Sequence, residues 1–309
     1  MKYENIKPYV LSQDTNYLLS SWAKNANIAI PSVGQYQGEI SRKLQAIFPR
    51  VDVISEPELQ NAARRTLEFC KENQLACLSL DRAYIPAVDS ENLAFYVDSS
   101  RQVDNFLNSK GLGTRSSQNQ ELQKQFFGIS KIIGDTEVVI FDDVAFGGDT
   151  ILQLAELAKN AGIRIARLDF GIATSEALEK IGTAGYKSKS YRTYSDLIDE
   201  VCERDFFVGS PLSGRTIQTS EGTKGIPYLK PFGKPDEWGS IPENESNDFS
   251  YFCLSVASAF WSESQGMNRN EITVSKLEKP PIGLDLQKPI VKEIYRSIES
   301  LDIELPESI

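Results

Sequence analysis

The sequence predicts an α/β protein with a parallel central sheet flanked by helices and a Gly/Pro-rich accessory C-terminal region. In residues 138–173 an apolar strand, a helical stretch and a second apolar strand follow one another. This order is a βαβ unit, which requires parallel strands. Regular apolar spacing weakens after residue 185, and residues 207–245 are rich in glycine and proline. We therefore predict an α/β core with N-terminal helices over residues 1–185, and an accessory and C-terminal helical region over residues 186–309.

Apolar spacing predicts the individual elements in order. Helices are expected over residues 1–25, 39–48, 58–73, 102–107, 150–160, 194–204, 249–262 and 291–301, and residues 121–133 are expected to be either helical or mixed. Strands are expected over residues 27–31, 51–54, 76–80, 93–97, 138–141 and 163–173. A turn is expected from Gly34 to Gly38, and a polar loop over residues 108–120, which contain glycine, serine and asparagine.

Composition narrows the classes of function. The chain has 309 residues and a net charge of −10, which argues against a surface that binds duplex nucleic acid. No run of roughly 18 apolar residues occurs and the N-terminus lacks an apolar signal core, so we expect a cytoplasmic protein without a membrane span. The four cysteines form no C-x-x-C pair and are expected to be free, buried thiols.

The sequence contains no histidine. This absence excludes a Ser-His-Asp triad, a Cys-His protease and any zinc site that needs imidazole. Acid–base chemistry would fall to Asp, Glu, Lys, Tyr or the substrate itself. Sites rich in aspartate oxygens favour Mg²⁺ over Zn²⁺, so a metal cofactor, if used, is expected to be Mg²⁺.

Residues 138–150 read Val-Val-Ile-Phe-Asp-Asp-Val-Ala-Phe-Gly-Gly-Asp-Thr and carry the clearest chemistry. Asp142 and Asp143 stand at the carboxyl end of a buried strand, where two carboxylates can accept hydrogen bonds from a sugar diol or hold water around Mg²⁺. Gly147 and Gly148 allow the backbone to approach a ligand. The helix that then opens offers free N–H groups to an anion.

This segment resembles the motif that binds phosphoribosyl diphosphate (PRPP) in type I phosphoribosyltransferases. The resemblance implies that Asp142 and Asp143 take the ribose hydroxyls and the metal, and that Gly147, Gly148, Asp149 and Thr150 cradle the 5′-phosphate. Two departures stand out: Gly147 replaces the usual threonine, and Asp149 brings a carboxylate close to the phosphate. That carboxylate would repel the phosphate unless it points away, in which case it could cap the helix.

The resemblance also implies a diphosphate loop after an earlier strand and a mobile lid. Ser99, Ser100 and Arg101 fit the loop, with Arg101 stabilising the departing diphosphate. Residues 110–120 are the candidate lid. Arg215, within residues 211–216, belongs either to a second anion loop or base-recognition segment, or to a plain surface turn. The aromatic residues near it either stack on a planar base or pack as ordinary core, and they are Tyr228, Phe232 and Trp238.

The expected function is transfer of the phosphoribosyl group of PRPP to a nucleobase or other nitrogen acceptor, with release of diphosphate. A homodimer is the expected assembly. The alternative is a catalytically inactive protein that senses PRPP or a nucleotide, in a bacterial defence or conflict system. A P-loop NTPase is disfavoured because the sequence lacks G-x-x-x-x-G-K-[ST]. An acidic strand end with no ligand is the plain structural alternative.

Overall fold

A computed structural model describes residues 6–80, 94–115 and 121–301. The strands are β1 Tyr9–Ser12, β2 Val51–Ile54, β3 Ala76–Ser79, β4 Ala94–Tyr96, β5 Ser99–Val103, β6 Ser109–Thr114, β7 Val138–Ala145, β8 Ile165–Thr174, β9 Ser188–Tyr194, β10 Asp199–Cys202, β11 Arg215–Thr219 and β12 Gly222–Ile226. The helices are α1 Thr15–Ala26, α2 Gly34–Ile47, α3 Glu56–Glu72, α4 Leu122–Ile133, α5 Asp149–Asn160, α6 Ser175–Thr183, α7 Pro235–Trp238, α8 Ser246–Met267 and α9 Ile290–Glu299.

The described residues fall into two compact units. The first unit lies within Met1–Val53, Val103–Ser109 and Val201–Ile309, and the second within Ile54–Gln102 and Lys110–Glu200. The sequence-based boundary after residue 185 falls inside the second unit. The N-terminal residues that were assigned to the core belong to the first unit.

The second unit contains a five-stranded sheet in the order β4-β3-β7-β8-β9. All four neighbouring pairs are parallel. The predicted fold class, an α/β fold with a parallel central sheet flanked by helices, is therefore confirmed. β7 is the central strand, and its first four residues are buried because both faces of the sheet are covered.

Helices cover the two faces of this sheet. One apolar cluster joins Val138 and Ile140 of β7 to α4, α5 and α6, through residues such as Phe126, Leu154 and Ile181. On the other face, Thr66 of α3 donates a hydrogen bond to the buried Asp169 of β8 at 2.9 Å. A reciprocal cap begins α3, since the backbone N–H of Ser55 donates to the Glu58 carboxylate at 2.9 Å.

The first unit contains a long helix, α8, surrounded by aromatic packing. Phe260 packs edge-on against Tyr36 of α2 at 5.3 Å between ring centroids, and against Phe207 at the same distance. The Trp261 indole N–H donates to the Val208 carbonyl at 2.8 Å. In the same unit, β11 and β12 form an antiparallel hairpin.

Several predicted elements are correct and others are wrong. The helices that begin near residues 58, 121, 150, 249 and 291 are confirmed as α3, α4, α5, α8 and α9. The helix expected over 1–25 is instead β1 followed by α1, no strand forms at 27–31, and α2 already begins at Gly34. The helix expected over 194–204 is replaced by the end of β9, by β10 and by a 3-10 turn.

The helix expected over 102–107 is also wrong, because β5 and β6 flank a tight turn there. A side chain that bonds its own local backbone favours such a turn over a helix. Asp104 does this: one carboxylate oxygen accepts from the N–H groups of Phe106 at 2.8 Å and Asn108 at 2.9 Å. The polar loop expected over 108–120 is partly the strand β6, and residues 116–120 lie outside the described residues.

The structure also bears on the cysteines and on the helices of the chain. The four cysteines are free and buried, as expected. No helix in the described part of the chain combines the length and hydropathy that a bilayer-spanning segment needs.

A buried carboxylate, Glu203, lies in the first unit without exposure to solvent. Gln37 donates to it at 2.6 Å and Gln13 at 3.5 Å. The neighbouring Arg204 is engaged by the buried Asp14. Burial raises the pKa of Glu203 from 4.5 to about 7, against the lowering effect of its amide donors.

We expect the free energy of unfolding to fall as pH rises from about 4.5 to about 7, because the folded state holds the Glu203 proton over this range and the unfolded state does not. The full change is about 3 kcal/mol. Urea denaturation at several pH values should show this slope in the wild type and in the exposed control Glu243→Gln. Glu203→Gln should flatten it, and an unchanged slope in Glu203→Gln would contradict the assignment.

Candidate functional site

The two acids of the motif lie inside β7, which continues to Ala145, and not after its end. Asp142 is beside Phe170 of β8 in the parallel register. Residues paired in this way point to the same face of a sheet, and Phe170 belongs to the cluster formed with α4, α5 and α6. Asp142 therefore faces the side that carries α5, and it is partly exposed.

Asp143 follows in the strand and points to the opposite face, since successive side chains of a strand alternate. It is 6% exposed. One of its carboxylate oxygens accepts the N–H of Val144 at 2.8 Å, while the Asp142 carboxylate accepts the N–H of Asp143 at 3.1 Å. The structure thus separates two acids that sequence reasoning treated as an equivalent pair.

A short turn joins β7 to α5 and is fixed by one hydroxyl. Thr174, at the end of β8, donates to the carbonyl of Phe146 at 2.6 Å. The same oxygen accepts the N–H of Ala177 at 3.0 Å and so caps α6. Gly148 has a φ of +78°, a conformation that favours glycine. Two features therefore fix the turn: the left-handed backbone of Gly148 and the hydrogen bond from Thr174 to the Phe146 carbonyl.

α5 begins at Asp149, one residue before the predicted start. The N–H of Leu152 donates to the carbonyl of Gly148 at 3.1 Å. By helix geometry the N–H groups of the preceding residues, including Thr150, have no carbonyl partner within α5. They lie at the carboxyl edge of the parallel sheet, where open α/β folds bind ligands, and at the positive end of the helix dipole.

The Asp149 carboxylate neither caps α5 nor remains unneutralised. The residue preceding the helix is Gly148, and no side chain caps this end. Lys180 of α6 donates to the Asp149 carboxylate at 2.6 Å, and 72% of the Asp149 side chain is exposed. Lys180 was missed by the sequence analysis, because a contact across 31 residues leaves no local pattern.

The proposed diphosphate residues adopt a different local structure from the expected loop. Ser99, Ser100 and Arg101 lie in the strand β5, so the loop prediction is wrong. The two serines are buried and Arg101 is exposed. Arg115, from the predicted lid, donates to the Ser99 carbonyl at 3.0 Å. The binding roles of residues 99–101 stay predictions.

Arg215 lies in the first unit at the start of β11. Its guanidinium lies 4.4 Å from the Trp238 ring centroid and 5.9 Å from that of Tyr228. Tyr228, Phe232 and Trp238 are each 6% exposed. These aromatics pack as ordinary core, the second of the two alternatives, and the ligand role of Arg215 stays a prediction.

Part of this chain is similar in structure to known proteins. No protein-family model and no curated protein sequence matches the chain. A purine phosphoribosyltransferase from Pyrococcus horikoshii is 16% identical, with a TM-score of 0.30, over 47% of this chain and 88% of that one. An adenine phosphoribosyltransferase from Giardia lamblia, in complex with 9-deazaadenine, is 15% identical, with a TM-score of 0.31. The match covers 44% of this chain and 79% of that one.

A third solved structure, an orotate phosphoribosyltransferase from Mycobacterium tuberculosis with inorganic phosphate, is 13% identical. It covers 45% of this chain and 72% of its own, with a TM-score of 0.28. Each likeness spans less than half of this chain. Function is therefore inferred below from the geometry of β7, the turn and α5.

The two glycines of the turn should respond differently to alanine. Gly148→Ala should lower the free energy of unfolding by about 1–2 kcal/mol, because its left-handed backbone is strained for any other residue. Gly147→Ala should change it by less than about 0.5 kcal/mol, since a Cβ there meets only the Asp149 carboxylate at 3.8 Å. Urea denaturation of both variants measures the difference, and equal losses would refute the strained turn.

Proposed function

We propose that the second unit binds PRPP and transfers its phosphoribosyl group to a nitrogen acceptor with release of diphosphate. The observation that best supports this proposal is the order in which three features follow one another along β7, the turn and α5. A partly exposed carboxylate, a glycine turn and an open helix start follow one another at the carboxyl edge of a parallel sheet. A phosphorylated sugar has the diol and the anion that these groups would bind.

The 5′-phosphate is placed at the start of α5 in this proposal. Backbone N–H groups from Gly147 to Thr150 would donate to its oxygens, and the Thr150 hydroxyl would add a further donor. Lys180 neutralises Asp149 through the 2.6 Å ion pair, which removes the repulsion expected from the sequence. The missing threonine hydroxyl at Gly147 is compensated by close backbone approach.

The ribose hydroxyls are assigned mainly to Asp142. It is partly exposed and faces the side of the sheet that carries α5. Asp143 is nearly buried and accepts the N–H of Val144, so we assign it the role of fixing the backbone that leads into the turn. The two acids would then contribute to one site by different means.

Mg²⁺ fits this arrangement although the described residues contain no group of three or more metal-binding side chains. Mg²⁺ is usually held by one or two carboxylates, with substrate phosphates and waters completing its ligands. Asp142 would supply the carboxylate, while Asp143, on the opposite face, would support it through the backbone of β7. Bound with diphosphate, the ion would neutralise charge on the leaving group.

In the reaction, the bond between C1 of the ribose and the diphosphate oxygen breaks, and the acceptor nitrogen forms a new bond to C1. The diphosphate oxygen keeps the bonding electrons, and positive charge develops on the sugar as this bond breaks. The acceptor nitrogen loses its proton to the departing diphosphate or to water. The protein would contribute positioning and electrostatic stabilisation, which need no histidine. The exposed guanidinium of Arg101 would donate to the diphosphate, whereas Ser99 and Ser100 are buried in β5.

Asp142→Asn should lower the rate of diphosphate release on the order of 10²-fold, because it removes the charge that faces the sugar. The assay supplies Mg²⁺, PRPP and a panel of nucleobases. Asp135→Asn is the matched control, since Asp135 is exposed and precedes the opposite end of β7. Binding of PRPP without turnover for any acceptor would support the sensing alternative. Absence of PRPP binding in the wild type would refute the proposed site.

The pair Asp149–Lys180 should control affinity for the phosphate group in opposite directions. Asp149→Asn removes a like charge beside the phosphate and should tighten binding of ribose 5-phosphate several-fold. Lys180→Ala leaves the carboxylate unneutralised and should weaken binding by a similar factor. Isothermal titration calorimetry measures both, with Lys159→Ala at the other end of α5 as control. Equal affinities for all three variants would contradict the placement of the phosphate.

A further inference from the structure

A cavity of about 300 Å³ with both polar and apolar lining residues lies in the first unit, and none of its lining residues belongs to the site described above. The β11–β12 turn and the segment before α9 form its walls. Its polar lining includes Thr219, Ser220, Glu221, Lys224, Asp285 and Arg296. Its volume is at the lower end of the range for small-molecule sites, roughly 300–1,000 Å³.

Lys224 of β12 is a nearly buried cation in the lining of this cavity. Its side chain is only 8% exposed, although lysine is rarely buried without close partners. Within the described ranges its ammonium has one ion pair, with Glu221 at 3.4 Å, which is longer than a good hydrogen bond. The Glu221 side chain is 70% exposed. An ammonium has three donors, so most of its bonding capacity remains for a ligand.

Arg296 of α9 supplies a second cation at the same cavity. Its guanidinium donates to the Gly283 carbonyl at 2.7 Å and pairs with Glu293 at 2.7 Å, which fixes its position. Glu293 also accepts the N–H of Asp285 at 2.8 Å. A guanidinium has five N–H donors, so a positioned Arg296 keeps donors beyond these two contacts.

The lining also holds two acids, Glu221 and Asp285, and Glu293 pairs with Arg296, so the attraction for an anion rests on Lys224. One carboxylate oxygen of Asp285 accepts the N–H of Gln287 at 2.9 Å, a local hydrogen bond between residues two apart in the chain. Glu221 is largely in solvent, where its charge is well screened. The buried ammonium is therefore the group in the cavity that gains most from an anionic partner.

We propose that this cavity binds a small metabolite through one carboxylate or phosphate group, which contacts Lys224 and Arg296. All of these residues belong to the first unit, so the proposal does not depend on the PRPP site. A ligand at this position gives the first unit a binding role of its own.

Isothermal titration calorimetry with succinate and with inorganic phosphate tests the proposal. Lys224→Met keeps the length of the side chain without its charge, and it should weaken binding of the preferred anion at least 10-fold. Glu221→Gln removes the carboxylate that competes for the ammonium and should tighten binding. Lys234→Met, in an ion pair with Glu237 elsewhere in the first unit, is the control and should bind like the wild type.

Phosphate is also expected at α5, and the stoichiometry separates the two sites. If the cavity prefers phosphate, the wild type should bind two equivalents and Lys224→Met one. If it prefers a carboxylate, succinate should bind the wild type with one equivalent and should bind Lys224→Met at least 10-fold more weakly. If the wild type binds one phosphate and Lys224→Met binds none, phosphate does not bind at α5. That result would refute the PRPP site and leave this proposal intact. Unchanged binding of both anions in Lys224→Met and Glu221→Gln would overturn it.

Discussion

The candidate site depends on the parallel pairing of β7 with β3 on one side and β8 on the other. Parallel pairing brings the carboxyl ends of these strands to one edge, and it requires the chain to return through helices before each next strand. The start of α5 must therefore lie at the same edge as the end of β7. Asp142, the turn and Thr150 are close in space because of this topology, and only the last part of the strand is polar because the rest is enclosed by helices.

Charge balance is the second condition for an anion at this edge. Asp149 occupies the first position of α5, where a carboxylate is favourable for the helix but unfavourable for a bound phosphate. Lys180 resolves the conflict, since it pairs with Asp149 and its stem lies beside Gly148. The helix keeps a stabilising acid at its start, and under the proposed function a phosphate would meet a neutral pair in place of a negative charge. The carboxylate at the first position of α5 is thus accompanied by a neutralising residue on the next helix.

The sequence was sufficient for the parallel sheet, for α3 to α5 and for the glycine turn, because each has a strong local pattern. The sequence was insufficient for segments whose conformation depends on tertiary contacts or on hydrogen bonds from side chains. Asp104 converts an apparent helix into a turn through bonds to its own backbone. Tyr9 and its neighbours fit the apolar spacing of a helix but form β1, which pairs with β2 across about 40 residues. Lys180 could not be found from the motif, and the different faces of Asp142 and Asp143 follow only once the strand is known to continue.

The hydroxyl of Thr174 bonds simultaneously to the turn before α5 and to the first turn of α6. Two consecutive strand–helix junctions are therefore linked through a single oxygen atom. Any displacement of the Phe146 carbonyl on ligand entry must either move the start of α6 with it or break that link. Amide exchange at Ala177, a position that touches no ligand in the scheme above, would then report what happens at the neighbouring junction.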